Sequence, residues 1–302
     1  MAAAIAFRAA DSQNHLPENM MTQPPLSARA SYPKVASDPD PVWTGIRGEV
    51  EAEAQRTPIL ASFLHATVLK HDRLEQALSF HLANKLAAPT LQAMSIREMI
   101  DEAFELESIA TAIRADLQAV RDRDPAAREY STPFLYFKGF LALQAHRVAH
   151  HLWITGANSL AMYVQSRVSE VFAVDIHPAA RIGKGLLLDH GTSIIIGETA
   201  VVDDNVSILH EVTLGGTGKE SGDRHPKVRS GVLIGAGAKV LGNIIIGEGA
   251  KIGAGSVVLD HVPPHTTVAG VPARIVGRPE VASPALEMNQ QFQHEFNDGG
   301  GI

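Results

Sequence analysis

Between Ile59 and Ala87 the apolar residues Leu60, Phe63, Leu64, Val68, Leu69, Leu74 and Leu78 recur three and four positions apart, with charged residues between them. That spacing lays one apolar stripe along a helix. Two more helical stretches follow the breaks at Pro125 and Pro133, covering roughly 134–155 and 158–172. Such stripes need partners, so the region 41–174 is predicted to be an α-helical domain.

After Val174 the period changes. Aliphatic or small residues fall at every sixth position, at Ile176, Ile182, Leu188, Ile194, Ala200, Val206 and Val212, and again at Val228, Ile234, Val240, Ile246, Ile252 and Val258. A hexad repeat marks a parallel β-helix: each hexad is one short flat side, its aliphatic residue points inward, and three hexads close a coil of eighteen residues. Glycine after the inward residue, as at Gly183, Gly235, Gly247 and Gly253, suits tight corners. The sixteen residues from Val212 to Val228 break the register and hold a Gly-rich, charged excursion, Gly215 to His225. Excursions from a rigid scaffold are where binding groups gather. The expected fold is thus α+β: a helical domain over 41–174, a parallel β-helix with an extended loop over 175–277, and a flexible C-terminal tail over 278–302.

Residues 1–40 contain Pro24, Pro25, Pro33 and Pro39 and no sustained period, and read as a disordered extension. The apolar stretch Ala2 to Ala10 lacks the basic start and long apolar centre of a secretory signal. No run approaches the twenty or so apolar residues of a membrane span. A formal net charge of −7 disfavours a protein that coats nucleic acid. The absence of cysteine excludes disulfides, thiolate nucleophiles and cysteine-ligated metals, and fits a cytoplasmic setting.

Asp175 and the pair Asp189-His190 form the strongest chemical constellation. Asp175 precedes His190 by fifteen residues, three short of an eighteen-residue coil, which brings the two toward each other on successive turns. A carboxylate bonded to one imidazole nitrogen fixes the tautomer and frees the other nitrogen to take a proton; solvated corner residues beside a structural histidine would read the same way. Arg224-His225 in the excursion offers a planar fork for a carboxylate with a further donor or acceptor beside it, although such loop pairs are commonly only solvated. His146, His150 and His151 read as a wetted helix face shared with Arg147, and Asp124 before Pro125 as a helix terminator.

At these residues the chain resembles the serine O-acetyltransferase family of hexapeptide-repeat acyltransferases. The resemblance runs through Arg123 to Ala126, Tyr130 to Pro133, Lys138 to Phe140, Asp175 to Ala180, Leu188 to His190, Gly197 to Ala200, Val212 to Gly218, Gly222 to Lys227 and Gly270 to Gly277. Gly191 and Ser193 stand where it leads one to expect alanine and glycine. It implies a left-handed β-helix and acetyl transfer from acetyl-CoA to the hydroxyl of L-serine, the first step of cysteine biosynthesis from serine. His190 would be the general base and Asp175 its orienting partner, with Asp124, Asp189, Arg224 and His225 holding serine and Glu198 in the same site. Acetyl-CoA would lie against the backbone of Ala236 and Ala254, eighteen residues apart, with Arg274 near a phosphate, and no metal would be needed. The resemblance further implies a trimer, paired into a hexamer, and feedback inhibition by L-cysteine. The terminal Ile302 would insert into O-acetylserine sulfhydrylase, the enzyme that uses the product. Three other readings compete: an acyltransferase for a sugar or amine, a zinc-dependent β-helix hydratase with His190, His210 or His225 as ligands, and a non-catalytic scaffold.

Overall fold

The computed structural model describes residues 40–218 and 221–291. The N-terminal extension before Asp40 and the end of the chain with Ile302 lie outside these residues.

The helical region comprises α1 (Pro41–Arg56), α2 (Ala61–Leu64), α3 (Leu74–Leu86), α4 (Ala93–Phe104), α5 (Glu107–Arg123), α6 (Ser131–Tyr136), α7 (Lys138–Ile154) and α8 (Asn158–Phe172). Asp40 caps α1, its side chain accepting from the amides of Val42 and Trp43 at 3.1 and 3.3 Å. The same carboxylate takes Arg114 at 2.7 Å, which ties α1 to α5. Leu64, Val68, Leu74 and Leu78 of the apolar stripe are fully buried, each contributing about 1.5–3 kcal/mol relative to exposure.

Beyond α8 the chain winds as a parallel β-helix with three faces. Face one stacks β1 (Val174–Ile176), β4 (Ile194–Ile196), β7 (Thr213–Gly215), β10 (Lys239–Leu241) and β13 (Val257–Val258). Face two stacks β2 (Arg181–Ile182), β5 (Val201–Val202), β8 (Lys227–Val228) and β11 (Ile245–Ile246). Face three stacks β3 (Leu187–Leu188), β6 (Ser207–Ile208), β9 (Leu233–Ile234), β12 (Lys251–Ile252) and β14 (Thr267–Gly270), closed by the antiparallel β15 (Ala273–Gly277). Inward residues form one continuous core with the helices.

The coils are not all of one length. Ile176 pairs with Ile196, twenty residues on, whereas Ile196 pairs with Leu214 and Val240 with Val258 at the eighteen-residue spacing. Val202 pairs with Val228, twenty-six residues on. The fold thus carries two insertions, two residues at the corner of His190 and eight in the Gly-rich excursion. The hexad pattern hides the first. Residues two apart in a strand share a face, so Ile194 and Ile196 are both buried, and a six-residue count passes unbroken through Ile194.

A buried ion pair joins helices to coil. Arg147 Nη2 lies 2.6 Å from Asp116 Oδ2, the side chains 8% and 0% exposed. Arg147 also donates to the Gly183 carbonyl at 2.8 Å, and Asp116 accepts the Leu186 amide at 3.0 Å. The wetted face expected at His146 and Arg147 is therefore an interior one: both are buried, and burial pushes His146 down to about 3. Sequence cannot separate these cases, because a charged residue on a helix looks alike whether water or a buried partner meets it.

Part of the expected tail is packed. α9 (Pro284–Glu287) lies against face three, where Ser207 Oγ donates to the Ala285 carbonyl at 2.9 Å and Met288 meets Val120, Ala127 and Leu187.

Candidate active site

His190 stands at the edge where face three turns into face one, and the two inserted residues give this corner its shape. The backbone is left-handed at His190 (φ 57°), Gly191 (φ 72°) and Ser193 (φ 58°). Such conformations cost roughly 1–3 kcal/mol for residues other than glycine and gather at functional sites. Glycine suits position 191, where a Cβ would meet Gly139 Cα at 3.0 Å. A Cβ on Gly139 would in turn overlap the Leu188 carbonyl, so α7 passes this corner at backbone contact.

The His190 side chain is 74% exposed and its Nε2 lies 3.9 Å from Asp189 Oδ1, beyond hydrogen-bond reach. Asp189 is held above the usual carboxylate range by burial, opposed by His190, while Asp124 pushes the same way as burial and His210 against it. Asp124 arrives from the C-terminus of α5, where its Oδ1 accepts the Ala126 amide at 2.8 Å. Its neighbour Arg123 is buried and donates to Ser207 Oγ at 3.1 Å and Asn205 Oδ1 at 3.4 Å, anchoring the end of α5 to the coil.

The same edge continues along the helix axis. One coil beyond His190 is His210, its ring 5.6 Å away and nearly perpendicular, with a buried Nδ1 that has no partner among the described residues. Next come Ala236 and Ala254. The Gly237 amide donates to the His210 carbonyl and the Gly255 amide to the Ala236 carbonyl, at 2.9 and 2.7 Å. Among the described residues no acceptor takes the amides of Ala236 or Ala254, which leaves two donors one coil apart on a surface of small side chains. Arg274 follows on β15, opposite Ala269 of the strand whose Gly270 amide bonds Ser256 Oγ of this edge at 3.2 Å.

The second group lies across face one, at the edge where it turns into face two. Arg224 Nη2 meets Glu198 Oε2 at 2.6 Å, and this bond holds the Glu198 carboxyl below its ordinary range. The His225 ring packs over Gly197, where a Cβ would overlap it, and its Nδ1 faces the amide and hydroxyl of Thr199 at 3.2 and 2.9 Å. Burial lowers the pKa of His225, with Arg224 adding to the effect. His177 belongs here too. Its Nδ1 accepts the Ala179 amide at 3.1 Å, which puts the ring proton on Nε2, and burial lowers its pKa against the pull of Glu198 and Asp175.

Asp175 lies on face one, not beside His190. It is paired in register with Ile195, five residues past His190, and its Oδ1 accepts from Gln165 at 2.6 Å. The spacing argument for a neighbouring pair assumed eighteen residues per coil, and this coil has twenty. The structure therefore brings Asp124, Asp189 and His190 together at one edge, aligned with Ala236, Ala254 and Arg274, and Glu198, Arg224 and His225 at the other. Thr199 and His177 are residues the sequence argument left without a role in the site, and His210 entered it only as a zinc ligand in the competing hydratase reading. Only His210 carries a signal, its twenty-residue distance from His190 matching the enlarged coil.

Among the described residues no group of three or more His, Asp or Glu is arranged to hold a metal ion, and no helix is long and apolar enough to cross a membrane. Residues 42–145 match the family described as serine acetyltransferase, N-terminal, and residues 225–260 match the bacterial transferase hexapeptide repeats. Serine acetyltransferase of Salmonella typhimurium is 60% identical over 86% of this chain and 97% of its own length. Serine acetyltransferase of Vibrio cholerae superposes with a TM-score of 0.82 at 61% identity, over 83% of this chain and 98% of that one. A serine acetyltransferase solved in complex with cysteine gives 0.81 at 58%, over 83% and 98% of the two chains. One from Brucella abortus in complex with coenzyme A gives 0.78 at 55%, over 79% and 96%. With identity this high over most of its length, the chain belongs to the serine O-acetyltransferase family.

Proposed function

We propose that this chain carries out the family's reaction, acetyl transfer from acetyl-CoA to the hydroxyl of L-serine, at a site composed of the His190 edge of one protomer and the Arg224–His225 edge of its neighbour. One observation carries this reading: the two groups sit at opposite edges of face one, separated by a strand of three residues, about 10 Å. Serine is too short to span them. Exposed Ile195 and Ile245 on the outer surfaces of faces one and two supply apolar area for a second prism to cover. A trimer closes such contacts by symmetry, and pairing of two trimers through the helical half gives the hexamer.

In this site Arg224 and His225 bind the serine carboxylate, and Asp124 with Asp189 binds the ammonium. His190 takes the hydroxyl proton as the oxygen attacks the thioester carbonyl, with Asp175 of the neighbouring protomer orienting the imidazole. His210, between His190 and the alanine amides, donates toward the carbonyl oxygen as negative charge develops there. The C–S bond then breaks, and the proton held by His190 passes to the departing sulfur. The open amides of Ala236 and Ala254 suit the amide groups of the pantetheine arm, and Arg274 suits a phosphate.

L-cysteine, which a relative binds, presents the same carboxylate and ammonium. It would occupy the serine residues and inhibit competitively with serine. An isoleucine such as Ile302, where it ends a chain, offers an aliphatic side chain and a carboxylate together, a pattern captured by backbone donors and an apolar pocket. We assign it to docking in O-acetylserine sulfhydrylase; deleting it should abolish co-elution of the two enzymes and leave acetyl transfer intact. Thiol release from acetyl-CoA tests the activity itself. L-serine should support it, and sugars or simple amines should not; release with a sugar in place of serine would overturn the assignment.

A further inference from the structure

We propose that Thr199 is a positioning residue that fixes the Arg224–His225 pair and locks His225 in its Nε2–H tautomer. The inference deepens the functional reading above and rests on it for the identity of the ligand.

Thr199 Oγ1 accepts the backbone amide of Arg224 at 3.0 Å and that of His225 at 3.1 Å. Both lone pairs are then used, and only its proton remains to give. The acceptors left for it are His225 Nδ1 at 2.9 Å and the Asp223 carboxylate, a second side-chain partner of Thr199. The Thr199 amide points at the same Nδ1 from 3.2 Å. A nitrogen that accepts a backbone amide carries no proton of its own, and the ring proton of the neutral imidazole must sit on Nε2. The nearby Asp223 carboxylate is engaged by Lys227 at 2.6 Å, and the Thr199 carbonyl accepts from the same Lys227 at 3.0 Å.

Thr199 thus holds the end of the eight-residue excursion at two consecutive amides while setting which ring nitrogen can donate. Among the described residues no protein acceptor takes the His225 Nε2–H. It is left to the ligand as a donor beside the Arg224 guanidinium, which suits an anionic group and not a proton that must be removed. His225 therefore binds, and His190 remains the base.

The test pairs Thr199→Val, which keeps the shape and removes the hydroxyl, with Thr199→Ser, which restores it. Thr199→Val should raise the KM for L-serine about tenfold, the cost of one misplaced charge-assisted hydrogen bond, leave the KM for acetyl-CoA unchanged, and be rescued by Thr199→Ser. Nitrogen-15 histidine spectra, assigned with His225→Gln, should show a bare Nδ1 and a protonated Nε2 in the wild-type protein. A wild-type His225 protonated on Nδ1 would overturn the proposal without any variant having to fold. So would an unchanged serine KM in Thr199→Val, or a loss shared equally by both substrates that serine at 199 does not repair. A wild-type protein inert toward serine would sink the functional reading instead, and the spectra would still decide the tautomer.

Discussion

The two edges of face one are built on opposite plans. At the His190 edge the insertion is two residues long, the backbone is left-handed at His190, Gly191 and Ser193, and the imidazole is largely exposed with no hydrogen-bond partner among the described residues. At the Arg224–His225 edge the insertion is eight residues long, yet its functional end is tied down by Glu198, Thr199 and Lys227. Under the proposed function the difference matches the work each edge would do. A group that recognises a fixed carboxylate gains from being held before the ligand arrives. A base that moves a proton needs free access to the reacting hydroxyl, and in the proposed site its orienting carboxylate would come from the next protomer.

If the His190 edge does the chemistry and the other edge the recognition, their variants should fail differently. His190→Ala is expected to give the largest effect, a fall in kcat of about a hundredfold to ten-thousandfold, while acetyl-CoA titrated calorimetrically still binds. Near-normal turnover would break the division of labour. Arg224→Lys should act mainly on the serine KM, raising it about tenfold because a point charge replaces a bidentate fork. Steady-state kinetics in which kcat alone falls would place Arg224 with the chemistry instead.

How much of this contrast was readable in the sequence depends on what each feature leaves behind. Inward aliphatics leave a period, so the β-helix is legible from Ile176 to Val258. Short insertions at a corner leave nothing when the residues on either side are both inward, as with Ile194 and Ile196. The arrangement of Asp175 and His190 depended on that hidden coil length. Polar residues that act through another, such as Thr199 between Arg224 and His225, look like any loop threonine until the fold closes around them. The buried Asp116–Arg147 pair was invisible for the same reason.

A further expected effect, on stability and not on turnover, concerns histidines outside the site. Burial lowers His81 to about 4 and His146 to about 3, and His81 gives its Nε2–H to the Leu135 carbonyl at 2.9 Å. Below about pH 6.5 the unfolded chain binds protons that these buried rings refuse, so stability is complete above that pH and is lost as it falls toward the folded values. Denaturant titrations should show a decline of roughly 1.4 kcal/mol per pH unit for each fully shifted ring. A flat profile from about pH 6.5 to about pH 5 would show that the rings are hydrated.

The central claim is that each site needs both edges, from different protomers. The direct measurement is complementation between His190→Ala and Arg224→Ala, co-expressed under two different tags and purified through both. In a mixed oligomer some interfaces pair an intact His190 edge with an intact Arg224 edge, so activity should rise well above that of either variant alone. Mixed oligomers no more active than the sum of the two single variants would contradict the composite site.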